Sequence, residues 1–388
     1  MKRFLLLAIW TILADFSEAI SLWDSTGPYH VGYIQQVLNH TTPNDPTTPG
    51  DILLLTIYYP TPQIPNTTVP YVDPITAKLA EETFGLSKGS MSTLTTRLQF
   101  EAPTLLGTRP EFGNGTSPYP TIIFLPGLGL PCVGYTAIQS ELASYGYNVV
   151  SIDHPGEAPF IQLPYGGRGI PGSLNESAPE VPRAVYDYRV SDVLAVMSEP
   201  FLPSLIRTYG IPINTTHFGI FGHSIGGAGA AGVMAANDTK IASLFKVGGN
   251  MDGTFIQYLN DSTPVTDLDR PFMELAGEQH FYGSESSSDS DPTWKYFNNG
   301  QSGWRRSFQV NGTMHLDFSD IPLWVERLGQ EGTLGAQLGK ADGVRTTYIV
   351  ASILRKLFGF VEGRRLDRVD RYAEKVPELF VLSENRRI

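Results

Sequence analysis

Gly222-His223-Ser224-Ile225-Gly226-Gly227 is the stretch that decides the fold. Before it runs His217-Phe218-Gly219-Ile220-Phe221, a short apolar run of strand character. After it comes Ala228-Gly229-Ala230-Ala231-Gly232-Val233-Met234-Ala235-Ala236, small residues that suit a helix packed close on a sheet. Strand, G-x-S-x-G and helix, in that order, is the context of a nucleophile elbow, a sharp turn that exposes a serine hydroxyl at the edge of a sheet. The glycines have a steric reason, because side chains two residues either side of the serine would collide across so tight a turn. In a chain with 39 glycines the motif alone is a weak signal; the two flanks make Ser224 the candidate nucleophile.

A serine hydroxyl needs a base, and the base needs an acid to orient it. On elbows of this kind the chain order is Ser, then Asp or Glu, then His. Beyond Ser224 lie two histidines, His280 and His315. His315 follows the strand-like run Arg306 to Val310 and sits in a loop late in the chain, so it is the expected base. The acid has two candidates. Asp252 closes the run Ser243 to Met251 at what reads as the C-terminal edge of a strand, where ligand and catalytic groups gather in parallel sheets. Glu278 follows the next strand, Pro271 to Gly277, and is the rival; Asp317 is a more distant one. The expected oxyanion donors are the N–H of Ile225, at the start of the elbow helix, and that of Leu128. Leu128 lies in Thr121-Ile122-Ile123-Phe124-Leu125-Pro126-Gly127-Leu128-Gly129, a buried strand running into a Gly-rich turn.

Other apolar runs extend the pattern. Leu53 to Tyr59 and Thr95 to Phe100 read as early strands. A series follows: Ile122-Leu125, Asn148-Ile152, Phe218-Phe221, Leu244-Val247, Phe272-Ala276 and Ser307-Val310. Helical stretches alternate with it at Val133 to Tyr145 and Arg183 to Met197, and Val344 to Phe358 is expected to close the chain. The predicted class is α/β, an α/β-hydrolase fold with a mostly parallel central sheet and helices on both faces. Residues 1–19 read as a signal peptide and 20–388 as one domain, with loop insertions near 41–74, 160–182 and 283–291. The 160–182 segment follows the Asp153 turn on the catalytic edge and is expected either to wall the pocket or to decorate the surface. Trp294, Phe297 and Trp304 are expected to pack the core rather than line a site, and His223 to give structural support.

Several motifs together resemble the platelet-activating-factor acetylhydrolase family of secreted α/β-hydrolases, particularly its fungal-type members. They are Gly27-Pro28-Tyr29-His30-Val31-Gly32, Ile57-Tyr58-Tyr59-Pro60, Leu125-Pro126-Gly127-Leu128-Gly129, Gly222 to Gly227, and the Asp252 and His315 segments. The resemblance implies Ser224 as nucleophile, Asp252 as acid, His315 as base, and Leu128 with Ile225 as oxyanion donors. It also implies hydrolysis, without metal, of short or oxidised acyl groups at the glycerol 2-position of phospholipids. Two departures border the pocket: Pro126 stands where a histidine is frequent in the family, and Asp153-His154-Pro155-Gly156 differs from the vertebrate turn. The substrate is therefore less closely implied than the reaction.

Composition narrows the setting. The sequons Asn39, Asn66, Asn114, Asn175, Asn214, Asn237, Asn260 and Asn311 suit a secreted glycoprotein. A single cysteine, Cys132, excludes an intramolecular disulfide and reads as a packed small hydrophobe. The formal net charge of −11 disfavours nucleic acid and anionic membrane surfaces as partners. No metal-ligand spacing, dinucleotide fingerprint or P-loop is present in the sequence, so no cofactor or metal is expected. The expected partner is a small ester or phospholipid. A transient lipid-surface contact at Leu357-Phe358-Gly359-Phe360 competes with a core role for those residues, and the oligomeric state stays open.

Overall fold

The central strands are buried along nearly their whole length, so the sheet has two apolar faces. The computed structural model describes residues 19–104, 119–198, 201–202, 208, 213–259, 263–281 and 291–385. Residues 1–18 of the expected signal peptide, the sequons Asn114 and Asn260 and most of the 283–291 loop lie outside the described residues. Ten strands form the main sheet: β1 (His30–Asn39), β2 (Ile52–Thr61), β3 (Gln99–Phe100), β4 (Tyr119–Leu125), β5 (Asn148–Asp153), β6 (Ile213–His223), β7 (Phe245–Met251), β8 (Phe272–Ala276), β9 (Arg305–Val310) and β10 (Leu379–Asn385). Their order is β10-β9-β8-β7-β6-β4-β5-β2-β1-β3. The run from β9 to β5 is parallel, whereas β10 pairs with β9, and β2 with both β5 and β1, antiparallel.

Successive residues of a strand face opposite sides, so each strand feeds both layers. Ile123 and Leu125 pack with Val185 of α3 (Val181–Met197) and Ala228 and Ala231 of α4 (Ile225–Met234). Ile122 and Phe124 pack on the other face with Ile138 and Leu142 of α2 (Thr136–Ser144) and Ile349, Ile353 and Leu357 of α5 (Gly343–Phe358). Each of the Val, Leu, Ile and Phe side chains among these, fully buried, contributes about 1.5–3 kcal/mol. A third cluster, around Trp23, Tyr71, Ala77 of α1 (Pro74–Phe84) and Trp324, binds the N-terminal segment to the segment after His315. Here α1 is the first helix of the chain.

Two expectations need correcting. Thr95 to Phe100 is not one strand: Leu94–Thr96 joins a small separate sheet, and only Gln99–Phe100 reaches the main one. Nor does the helix Gly343–Phe358 close the chain. Asp367–Ala373 and the edge strand β10 follow it, the latter with Phe380 and Val381 exposed. Leu357 and Phe358 are fully buried, so the lipid-contact reading of that stretch gives way to core packing. Trp294, Phe297, Trp304 and Cys132 are buried, in line with the core reading.

The sheet's connections set the position of the site. β4 continues to β5 on one side, whereas β6 enters on the other side of β4 and continues to β7. Such a reversal opens a crevice beyond the carboxyl ends of the strands. Register brings the three ends level: Gly222 lies beside Leu125, and His223 beside Met251.

Candidate active site

Ser224 stands between the end of β6 and the start of α4 with φ +55° and ψ −129°, a sparsely populated backbone conformation for a residue with a side chain. What over-determines it is close packing. A Cβ on Gly226 would lie 2.3 Å from the Leu125 carbonyl oxygen, and one on Gly222 2.3 Å from the Gly226 carbonyl. The Ser224 N–H donates to Met251 O at 2.8 Å, placing the serine beside the residue that precedes Asp252.

Asp252 follows β7 directly, also at positive φ, +56°. Its Oδ1 accepts from the Gly277 N–H at 2.7 Å, and its Oδ2 lies 2.6 Å from His315 Nδ1. The carboxylate is buried and the His315 side chain 40% exposed, so the pair runs from the protein interior to its surface. Burial alone would raise the Asp252 carboxyl. The His315 hydrogen bond, the neighbouring His280 and the Gly277 N–H outweigh it and bring the group down to about 2.

Glu278, the rival acid, is engaged elsewhere. Its Oε1 accepts from the Gly312 N–H at 2.7 Å and its N–H donates to Thr313 O at 2.8 Å, so it braces the loop that carries His315. Asp317 does the same from the other side, accepting from Met314 N at 2.8 Å and Gly339 N at 2.6 Å. Both carboxylates shape the loop and neither takes Asp252's place.

His223 gives more than general support. Its Nε2 lies 3.0 Å from the His315 carbonyl oxygen and its Nδ1 2.7 Å from the Tyr135 hydroxyl, which itself accepts from Gly127 N at 2.9 Å. A carbonyl only accepts, so Nε2 must carry the proton and Nδ1 must accept from tyrosine. Burial and the nearby His315 lower His223 to about 3, in keeping with a neutral ring. One imidazole thus ties the elbow, the His315 loop and the Gly127 turn together.

The turn after β4 is clamped from beneath. Arg189 of α3, fully buried, donates Nη1 to Pro126 O and Nη2 to Gly127 O, the latter at 3.1 Å. Its charge is met by Glu157, through Nη2 and through Nε at 3.1 Å, and Tyr188 donates to the same carboxylate at 2.6 Å. Leu128 is held between these anchors. Among the described residues no acceptor takes the N–H of Leu128 or of Ile225, the arrangement an oxyanion site requires. Sequence reasoning missed Arg189, Glu157 and Tyr135: a charged residue in a helical stretch such as Arg189 reads as solvated, and nothing local pairs it with Glu157 or sets Tyr135 against His223.

The 160–182 segment forms a hairpin of Phe160–Gln162 and Gly169–Pro171, then turns back to the site. Leu174 and Ala178 join Leu128 against the same core cluster, and the Glu176 carboxylate covers Gly129.

No family model matches the chain. A probable 1-alkyl-2-acetylglycerophosphocholine esterase of Arthroderma benhamiae is 21% identical over 340 residues, spanning 84% of this chain and 82% of its own length. Among solved structures, a ferulic acid esterase from Streptomyces cinnamoneus matches with a TM-score of 0.75 at 24% identity. That match covers 94% of this chain and 100% of the other. The fold is that of an α/β-hydrolase. Within this fold, Ser224, Asp252 and His315 sit on three loops at the carboxyl edge of the sheet, each after the strand its sequence position implied, and Asp252 and His315 meet there.

Proposed function

We propose that the protein is a serine carboxylic-ester hydrolase working through an acyl-enzyme. Ser224 is the nucleophile, His315 the general base and Asp252 the acid that orients it, with the N–H groups of Leu128 and Ile225 holding the oxyanion. The observation that carries this reading is the 2.6 Å Asp252–His315 pair, whose His315 loop is tied by His223 to the elbow that presents Ser224 at positive φ. The Arthroderma protein and the Streptomyces structure are each named as an esterase, which supports the reaction class.

Because Nδ1 of His315 donates to Asp252, its Nε2 is free of a proton in the neutral ring and takes the Ser224 hydroxyl proton as Oγ attacks the ester carbonyl. The tetrahedral oxyanion receives the two N–H donors. Collapse expels the alcohol, which takes its proton from His315; water then repeats the sequence on the acyl-enzyme.

The finer reading is cleavage of short acyl groups from the 2-position of phospholipids, supported by the motif resemblance and by the name of the Arthroderma relative. The segment 160–182 is the pocket wall on the Leu128 side, supported by Glu176 over Gly129. Secretion with N-glycosylation is supported by surface placement: Asn39, Asn66, Asn175, Asn237 and Asn311 are exposed, and Asn214 half-buried.

The test is acetate release from a 2-acetyl phosphocholine lipid by wild type and Ser224→Ala in parallel, beside a short-chain nitrophenyl ester and a feruloyl ester. Acetate release by wild type alone supports both nucleophile and lipid substrate. Hydrolysis of another ester through Ser224 without acetate release keeps the mechanism and moves the substrate. Silence on all three overturns the reading.

A further inference from the structure

Asp252 faces two imidazoles. His315 meets Oδ2, and on the opposite side His280 Nδ1 lies 3.5 Å from Oδ1. The other nitrogen of His280, Nε2, lies 3.2 Å from Asp291 Oδ2. Asp291, His280, Asp252 and His315 therefore form a connected series of side chains, each within 3.5 Å of the next. The His280 side chain is only 7% exposed and Asp252 3%, so water screens the first links poorly.

The surroundings fix this geometry. The Asp291 N–H returns to the His280 carbonyl at 3.4 Å, and the Trp294 ring lies 4.4 Å from the His280 ring, centroid to centroid. Trp294 Nε1 in turn donates to Gly253 O at 2.8 Å, pinning the backbone next to Asp252. Among the described residues, the titratable groups acting on His280 are Asp252, Asp291 and the buried Glu274, all carboxyls. Nothing in the three-residue chemistry of the elbow requires a second imidazole on this carboxylate.

We propose that His280, held by Asp291, is a positioning residue for Asp252: it fixes the carboxylate toward His315 and, as an imidazolium, offsets part of its charge. The assignment rests on the triad reading above and deepens it. Burial alone would lower His280; the Asp291 carboxylate 3.2 Å away and the charge of Asp252 more than offset this, and the group is raised. The positive charge opposes protonation of the base through Asp252. Removing it makes the base easier to protonate, so the acid limb of kcat/KM moves to higher pH.

The test compares wild type, His280→Asn and Asp291→Asn by kcat/KM against pH on a soluble short-chain ester. Fluorophosphonate labelling of Ser224 and a thermal melt accompany each. His280→Asn keeps a donor near the Nδ1 position without the charge. The expected result is an acid limb displaced upward by about 0.5–1 pH unit in both variants, with KM little changed. His280→Ala, lacking donor and charge, is expected to lose about tenfold in kcat, partly restored in His280→Asn. Titration of the ring nitrogens of His280 by NMR in the wild-type protein gives a readout independent of any variant, and a ring neutral across pH 5–7 overturns the charge assignment. Labelling at Ser224 with an unmoved acid limb in both variants overturns the role of His280 alone. Failure of wild type to label at Ser224 overturns the triad, and this assignment with it.

Discussion

The His223 ring donates from Nε2 to the main-chain carbonyl of His315 at 3.0 Å, so the residue before the elbow serine holds the loop that carries His315. The bond acts on backbone rather than on the reacting imidazole, and Tyr135 fixes its direction by occupying Nδ1. His223→Ala is expected to lower kcat by about 10–100-fold, since a displacement near 1 Å at the reacting atoms has that effect. It also leaves buried partners unsatisfied, destabilising by about 1–3 kcal/mol. His223→Gln keeps a donor within reach of the carbonyl and is expected to recover part of the rate. Steady-state kinetics beside denaturant melts check this; wild-type kcat in the alanine variant would refute it.

The Arg189–Glu157 pair allows stability and site geometry to be separated. Arg189→Met strands the Glu157 carboxylate in the interior and is expected to cost about 3–5 kcal/mol. Adding Glu157→Gln removes the orphaned charge while the amide oxygen still accepts from Tyr188, so most of the stability should return. The Pro126 and Gly127 carbonyls nonetheless remain without their guanidinium, and kcat should stay about 10–100-fold low because the Leu128 N–H is no longer held. Full activity in the stable double variant would show that the clamp serves folding only.

Two glycines of the same helix should respond oppositely to one added methyl. At Gly226 a Cβ meets the Leu125 and Pro126 carbonyl oxygens at 2.3 and 2.5 Å, rigid backbone on both counts. At Gly229 the nearest atom is the end of the Leu125 side chain at 3.3 Å, which has room to turn. Gly226→Ala is expected to abolish fluorophosphonate labelling of Ser224, and Gly229→Ala to label normally with stability changed by less than about 1 kcal/mol. Normal labelling of both would mean the elbow tolerates opening.

These contrasts show what local sequence could and could not convey. The elbow was legible because its sterics are local: Gly222, Ser224 and Gly226 lie within five residues, flanked by a strand and a helix. Asp252 and His315 followed from chain order and from strand ends, and the structure joins them at 2.6 Å. The partners of His280 were not legible. Asp291 lies beyond a serine-rich stretch, and Asp252 reaches His280 only through the pairing of β7 with β8. Glu278 misled for a related reason, since a carboxylate after a strand looks alike whether it meets an imidazole or the Gly312 N–H.

The pH dependence of stability should carry the mark of Glu274, a carboxyl wholly buried in β8. Burial raises it to about 7, and Ser307, Arg305 and Asn298 only partly counteract this. Between about 4.5 and 7 the folded chain keeps a proton that the unfolded chain has released. Its contribution is therefore complete below about pH 4.5 and is lost as pH rises through 7. Asp320, also raised to about 7, and Asp153, raised to about 6, act with the same sign. His223, lowered to about 3, acts with the opposite sign, its contribution being lost as pH falls from about 6.5 toward 3. Glu274→Gln cannot titrate and can still bond Ser307 and Asn298. The fall in unfolding free energy from pH 5 to pH 7.5 should thus be smaller in the variant by on the order of 2 kcal/mol. Urea melts of both proteins at the two pH values measure this directly, and equal falls would place the Glu274 proton outside the folding equilibrium.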